Sequence, residues 1–227
     1  MKTIVIDNWY EDPDEVRQLA FSNFETAKTE NVDWYPGIRT YGSLDNLLQN
    51  REKIEYHCGF KVNPKQWVFN SSAGLEFNIE DQQRFEVNLS TFNMVLPGTD
   101  IEMDPFDTTN NGTFQCCLPE HDARRRIHVD ERTRYGAIIY LTPDPPEGTG
   151  TGFFRHKDTN ITSFDKEHAD LFQRPREEWE MIDSIENIYN RCIIFDSQQY
   201  HAATKYFGTD LSDGRLTQVF FFNRFSE

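Results

Sequence analysis

Two of the six histidines in this 227-residue chain stand in company that can do chemistry. In Ile127-His128-Val129-Asp130, an extended backbone sends residues i and i+2 to the same side. His128 and Asp130 can therefore offer an imidazole nitrogen and a carboxylate oxygen to one cation, or simply hydrogen-bond to each other. Farther on, the run from Asn190 to His201 is an apolar strand that turns and delivers His201 to the start of the next strand. Two imidazoles and one carboxylate on one face form a donor set that holds Fe(II) and leaves the opposite face open. Fourteen residues after His201, Arg215 opens the apolar run Arg-Leu-Thr-Gln-Val-Phe-Phe-Phe. A guanidinium at the mouth of such a strand needs an anion, and its planar fork suits a carboxylate. A surface acid of this acidic chain would also satisfy it. His57, His121 and His168 lack comparable neighbours and read as surface or satisfied core positions.

Groups so far apart in sequence need a rigid frame. Lys2 to Ile6 alternates and reads as a short strand. Pro13-Asp-Glu-Val opens a helix to about Phe24, with proline in the first turn and acids at the positive end of the dipole. Ser43-Leu-Asp-Asn begins a second helix to about His57, stopped by Gly59. Beyond residue 65, short runs rich in Phe, Val, Ile, Tyr and Thr alternate with Gly, Pro, Asn and Asp. They predict strands at Gln66–Asn70, Leu75–Ile79, Phe85–Phe92, Thr113–Leu118, Tyr135–Thr142, Gly152–His156, Cys192–Phe195, His201–Tyr206 and Arg215–Asn223. Many short strands with turn signals predict a sandwich or jelly roll. Residues 162–189, charged and holding Trp179, are expected to form helix and loop outside the sheet. Pro97 to Asn111 is a long polar connection, and such loops in compact domains are often functional.

Composition narrows the setting. Twenty-three bases against thirty-eight acids give a net charge of −15, a field that repels phosphate backbones, so nucleic acid is not an expected partner. No stretch approaches the roughly 20 apolar residues of a membrane span. The start, Met-Lys-Thr-Ile-Val-Ile-Asp, has too short an apolar run for a signal peptide, so a cytoplasmic protein is expected. Cys58, Cys116, Cys117 and Cys192 form no Cys-x-x-Cys pair and are expected to be core thiols.

The order His-x-Asp, about 70 residues of strands, His, then Arg resembles the 2-oxoglutarate- and Fe(II)-dependent dioxygenases, most of all their prolyl-hydroxylase-like branch. The flanks agree. Gly136-Ala-Ile-Ile-Tyr140-Leu-Thr is similar to that branch's strand ending in Tyr-Leu-Asn, Glu147-Gly-Thr-Gly-Thr-Gly152-Phe-Phe to its Gly-rich turn, and Arg191-Cys-Ile-Ile-Phe-Asp-Ser to the segment before its distal His. The similarity spans residues 114–223, and more loosely the whole chain, and extends to a bacterial or phage-type subgroup. Thr142 stands where the branch commonly has Asn.

The resemblance implies one domain over 1–227: a supporting N-terminal strand and helices (1–64), then a double-stranded β-helix (jelly roll, cupin-like) over 65–227, with 162–189 as a helical insert. It implies that His128, Asp130 and His201 ligate Fe(II), and that Arg215, assisted by Tyr140 and Thr217, grips the distal carboxylate of 2-oxoglutarate. Dioxygen is the oxidant, ascorbate a reductant, and succinate and CO2 leave. Asp130 argues against halogenation, which requires that position empty. Hydroxylation of an amino acid, peptide or small metabolite is the expected outcome, with desaturation or epimerisation as variants. The reading outside enzymology is a metal-free jelly-roll binding or structural module.

For the substrate side, Arg155, His156 and Lys157 follow the Gly-rich turn. Phe154 and His156 are the apolar choice for the barrel interior, which would bring His156 near the metal as a substrate contact. Arg155 and Lys157, with the loop from Pro97 to Asn111, would then form a cationic rim. Arg124-Arg-Arg126 is a second basic run, and Trp34, Tyr35, Trp67 and Phe106 are candidate lid aromatics.

Overall fold

The computed structural model describes residues 2–26, 36–40, 42–63, 111–130 and 133–225. The strands expected within 66–92 and the aromatics Trp34, Tyr35, Trp67 and Phe106 lie outside these residues. So does the loop from Pro97, apart from Asn111.

Two antiparallel sheets face each other in a jelly-roll arrangement, and two helices back the larger one. The order is β1 (Ile4–Ile6), α1 (Pro13–Thr26), β2 (Ile38–Thr40), α2 (Leu44–Cys58), β3 (Thr113–Cys117), β4 (Tyr135–Tyr140), β5 (Gly150–His156), β6 (Trp179–Glu186), β7 (Cys192–Asp196), β8 (His201–Ala203) and β9 (Arg215–Phe222). The larger sheet runs β1-β7-β4-β9-β3-β2 and the smaller β6-β5-β8. The described helices are too short or too polar to cross a membrane. All four cysteines are free thiols, three of them buried.

The helices start and stop where local chemistry dictates. In α2 the Ser43 hydroxyl accepts the Asn46 N–H, and Gly59 at φ 70° turns its own N–H back to the Glu55 carbonyl. Both helices bury apolar side chains on the outer face of the large sheet. Trp9, Ala20, Phe24, Leu47 and Ile54 meet Phe114, Cys116, Ile139, Leu216, Phe220 and Phe222 there. Alternation along β9 then turns Arg215, Thr217, Val219 and Phe221 to the inner face.

One outer-face position of β9 is polar. Gln218 is fully buried and donates to Asn46 Oδ1 at 2.6 Å and the Gly112 carbonyl at 3.0 Å. It also meets the Tyr10 hydroxyl, which Asn50 Nδ2 bonds at 2.9 Å, while Asn50 Oδ1 accepts the Trp9 indole N–H at 2.7 Å. This satisfied network fixes α2 and the N-terminal segment against β9, and so sets the strand that presents Arg215. Asn50→Ala leaves the buried Trp9 indole N–H without its acceptor and removes a donor to the Tyr10 hydroxyl, which keeps Gln218 as its own acceptor. It is expected to cost about 1–3 kcal/mol, read as a lower urea midpoint with unchanged slope.

Residues 162–189 depart from the helical expectation. Their first part is helical, as 3-10 turns at Lys166–Gln173 and Arg176–Glu178, but the second part is strand β6. It pairs with β5 from Gly150↔Glu186 to His156↔Trp179. After Trp179 it is an exposed edge strand, with Met181 and Ile182 about half accessible. No buried face imposes a period of two on its sequence, so the pattern by which strands are recognised is missing. The short strand β2, not expected from the sequence, extends the opposite sheet by pairing with β3.

Candidate metal centre

The His-x-Asp segment reaches its place by joining the smaller sheet. His128 and His201 form an antiparallel bridge, each amide donating to the other's carbonyl, at 3.0 and 2.9 Å. Directly opposed residues send side chains to the same face, and the two rings lie 4.6 Å apart, centroid to centroid. Asp130, two residues on, is held by its own N–H to the Ser197 carbonyl and by Gln198 Nε2 on its carbonyl at 2.6 Å. Its carboxylate oxygens lie 3.9 Å from His128 Nε2 and 3.6 Å from His201 Nε2. The three donor atoms fall within 4.8 Å of one another.

Three features of this cluster fit a divalent transition metal. Each histidine places Nδ1 on a backbone carbonyl, His128 on Arg126 at 3.0 Å and His201 on Gln199 at 2.8 Å. Those bonds assign the proton to Nδ1 and turn the Nε2 lone pairs toward Asp130. Burial, and then the neighbouring His128, pushes the His201 pKa down to about 4, so its imidazole is neutral and able to ligate at ordinary pH. Asp130 Oδ2 is buried without a hydrogen-bond partner. Among the described residues no lysine or arginine pairs with this carboxylate, and a buried acceptor of that kind is costly unless a cation sits on it.

Arg215 reaches the same cavity from the other sheet. It is 5% exposed, donates from Nη2 to the Gly150 carbonyl at 3.1 Å, and lies with Cζ 5.6 Å from the Tyr140 ring centroid. A Cβ at Gly150 would collide with the Ile185 carbonyl, so glycine is what lets β5 start here against β6 and aim its carbonyl at Arg215. Arg215 Nε is buried and unpartnered, and among the described residues no carboxylate lies within ion-pair distance. Gly150 is three residues along β5 from Phe153, which pairs with His201, an offset of about 10 Å along the strand. Thr217 follows Arg215 on the inner face, and the Tyr140 hydroxyl is 2.7 Å from Thr151 Oγ1.

The cavity between the sheets measures about 360 Å³ and holds the histidines, Asp130, Arg215 and Thr217. Tyr140 lies behind its wall. Arg39, Gln115 and Arg126 also line it, and were not singled out as members of one site. A polar residue such as Gln115 inside a wholly buried strand was the available signal; for Arg39 and Arg126 the cavity appears only when distant strands are paired.

The three residues expected on the substrate side are elsewhere. The pairing of Phe153 with His201 turns Thr151 and Phe153 inward, and Phe153 stacks edge-on against Phe195. Phe154 and His156 therefore face the outer cluster with Leu171, Trp179 and Tyr200, opposite to the sequence expectation. His156 is occupied by Thr159 Oγ1 at 3.0 Å and Glu178 at 3.3 Å. Arg155 pairs with Glu180 at 2.6 Å, and Lys157 donates to the Glu177 carbonyl at 2.7 Å. None of the three lines the cavity.

No family model matches the chain, and no curated protein matches it. Two solved structures are similar over most of their length. One is a prolyl hydroxylase in complex with a hypoxia inducible factor oxygen degradation domain peptide fragment from Trichoplax adhaerens, at 13% identity and TM-score 0.42, covering 97% of this chain and 82% of that one. The other is a Pseudomonas putida prolyl-4-hydroxylase, at 11% identity and TM-score 0.40, covering 99% and 93%. At such identity the site stands on this chain's own residues.

Proposed function

We propose that the protein is an Fe(II)- and 2-oxoglutarate-dependent oxygenase that hydroxylates an amino acid, peptide or small metabolite and releases succinate and CO2. The observation that supports this reading is the pairing, in one cavity, of a two-His, one-Asp cluster with a buried arginine that has no acid partner. His128, Asp130 and His201 would hold the iron through two Nε2 atoms and a carboxylate oxygen. When bound, the metal would bring dioxygen and the 2-oxoacid into reaction. Arg215 fixes the distal carboxylate by a charge-assisted pair in a site sheltered from water. Thr217 and the Tyr140–Thr151 pair supply neighbouring hydroxyls. The Nδ1–carbonyl bonds orient both imidazoles with Nε2 toward the metal position. Phe195, against His201 at 4.8 Å, supplies an apolar wall beside the ligand set.

Anaerobic titration with Fe(II) is expected to saturate at one ion per chain. With iron, ascorbate and air, slow conversion of 2-oxoglutarate to succinate is expected without the primary substrate, and His128→Ala is expected to reduce it to background. A well-folded protein with no saturable metal binding would instead be a metal-free jelly-roll binding module.

A further inference from the structure

A second concave site opens beside the metal cavity. It is a groove of about 610 Å³ lined by Asp122, Arg125, Arg126, Arg174 and Arg176, with Gln173 and Pro175 between them. Four guanidinium groups face one carboxylate there, in a chain whose net charge is −15. Two of the four are neutralised. Arg125 pairs with Asp122 at 2.7 Å and also donates to the Ala203 carbonyl, and Arg174 pairs with Asp170 at 2.9 Å. Arg126 and Arg176 have no acid within ion-pair distance among the described residues.

Arg176 is partly buried all the same. Its Cζ lies 5.0 Å over the Phe154 ring, and its Nη1 is buried with no hydrogen-bond partner. Stacking on Phe154 holds the planar fork in place and leaves the Nη1 donors unused. Burial and the neighbouring Arg125 charge both work against this cation. Maintaining a desolvated arginine beside other arginines is unfavourable unless an anion enters. Arg126 lines both this groove and the metal cavity. Its carbonyl also accepts the His128 Nδ1 proton. The two concavities therefore share a wall two residues away from a proposed metal ligand.

We propose that this groove binds an oxyanionic group of the primary substrate, a phosphate ester or a pair of carboxylates, while the part to be oxidised passes Arg126 into the metal cavity. The first half of the proposal stands on the groove alone; the second rests on the oxygenase reading. Two unpaired guanidiniums balance two negative charges, the chemistry common to a phosphate monoester and a dicarboxylate. Steering by this patch in an otherwise acidic surface also gives the substrate a preferred approach, weakened by salt over a Debye length of about 8–10 Å.

Calorimetric titration of full-length Arg215→Leu, which lacks the dicarboxylate site of the metal cavity, with inorganic phosphate and separately with glutarate, tests the groove and separates the two sources. One of the two anions is expected to bind. Adding Arg176→Gln or Arg126→Gln is expected to weaken that binding at least tenfold. Arg126 is exposed, so its variant stays informative if Arg176→Gln fails to fold. Binding of neither anion, or binding indifferent to both Arg126 and Arg176, would overturn the proposal. Anion binding without metal binding would sink the oxygenase reading alone, and normal succinate formation without anion binding would sink this inference alone.

Discussion

Asp130→Ala is expected to eliminate metal binding while leaving the metal-free fold as stable as before, or more so. Asp130 Oδ2 is buried with no hydrogen-bond partner, and the nearer imidazole, His201, is neutral, so the metal-free protein gains little from this carboxylate. Removing an unsatisfied buried acceptor is neutral to favourable for folding, whereas removing one of three ligands from a cation is not. A metal supplied at 100 times its Kd stabilises the native state by about 2.7 kcal/mol. In a chain of this size that is a rise in Tm of roughly 5–10 °C. The rise should vanish in Asp130→Ala, measured by thermal denaturation with and without Mn(II) or Zn(II) at pH 8. A metal-induced shift that survives the substitution would remove Asp130 from the ligand set. A large loss of stability in the metal-free variant would make the carboxylate a structural group instead.

Arg215→Leu separates the cosubstrate end of the cavity from the metal end. Losing one partner of a buried, charge-assisted pair costs about 2–5 kcal/mol, which is roughly 30-fold to more than 1,000-fold in affinity. The affinity for 2-oxoglutarate, measured by titration of the anaerobic Fe(II) protein, should fall by that factor. Fe(II) affinity should change by less than about threefold, because Arg215 meets β5 about 10 Å along the strand from the His201 pair. Arg215→Lys keeps the charge but loses the bidentate fork, and an intermediate loss is expected. Equal losses of metal and 2-oxoglutarate would show that the substitution had disrupted the site as a whole.

Much of this site was legible before any tertiary information. The i, i+2 relation of His128 and Asp130 follows from extended backbone. The placing of His201 and Arg215 at the starts of β8 and β9 follows from polar residues opening apolar runs. The two helices were equally readable, because Ser43, Gly59 and Pro13 act on their own neighbours within a turn. These are local facts, and local sequence determines them.

What depended on long-range register was not legible. Both faces of β5 are buried, so apolarity could not say which faces the cavity; the pairing of Phe153 with His201 decided it and sent His156 outward. The edge strand β6 buries little beyond Trp179 and so wrote no alternation into its sequence. Arg39 and Arg126 belong to one cavity only because β2 pairs with β3 and the 126–130 segment with the strand beginning at His201. Sequence by itself determined which side chains could ligate a metal and bind a carboxylate. The tertiary structure decided which other charges surround them, because a one-residue change of register reverses every side chain on a strand.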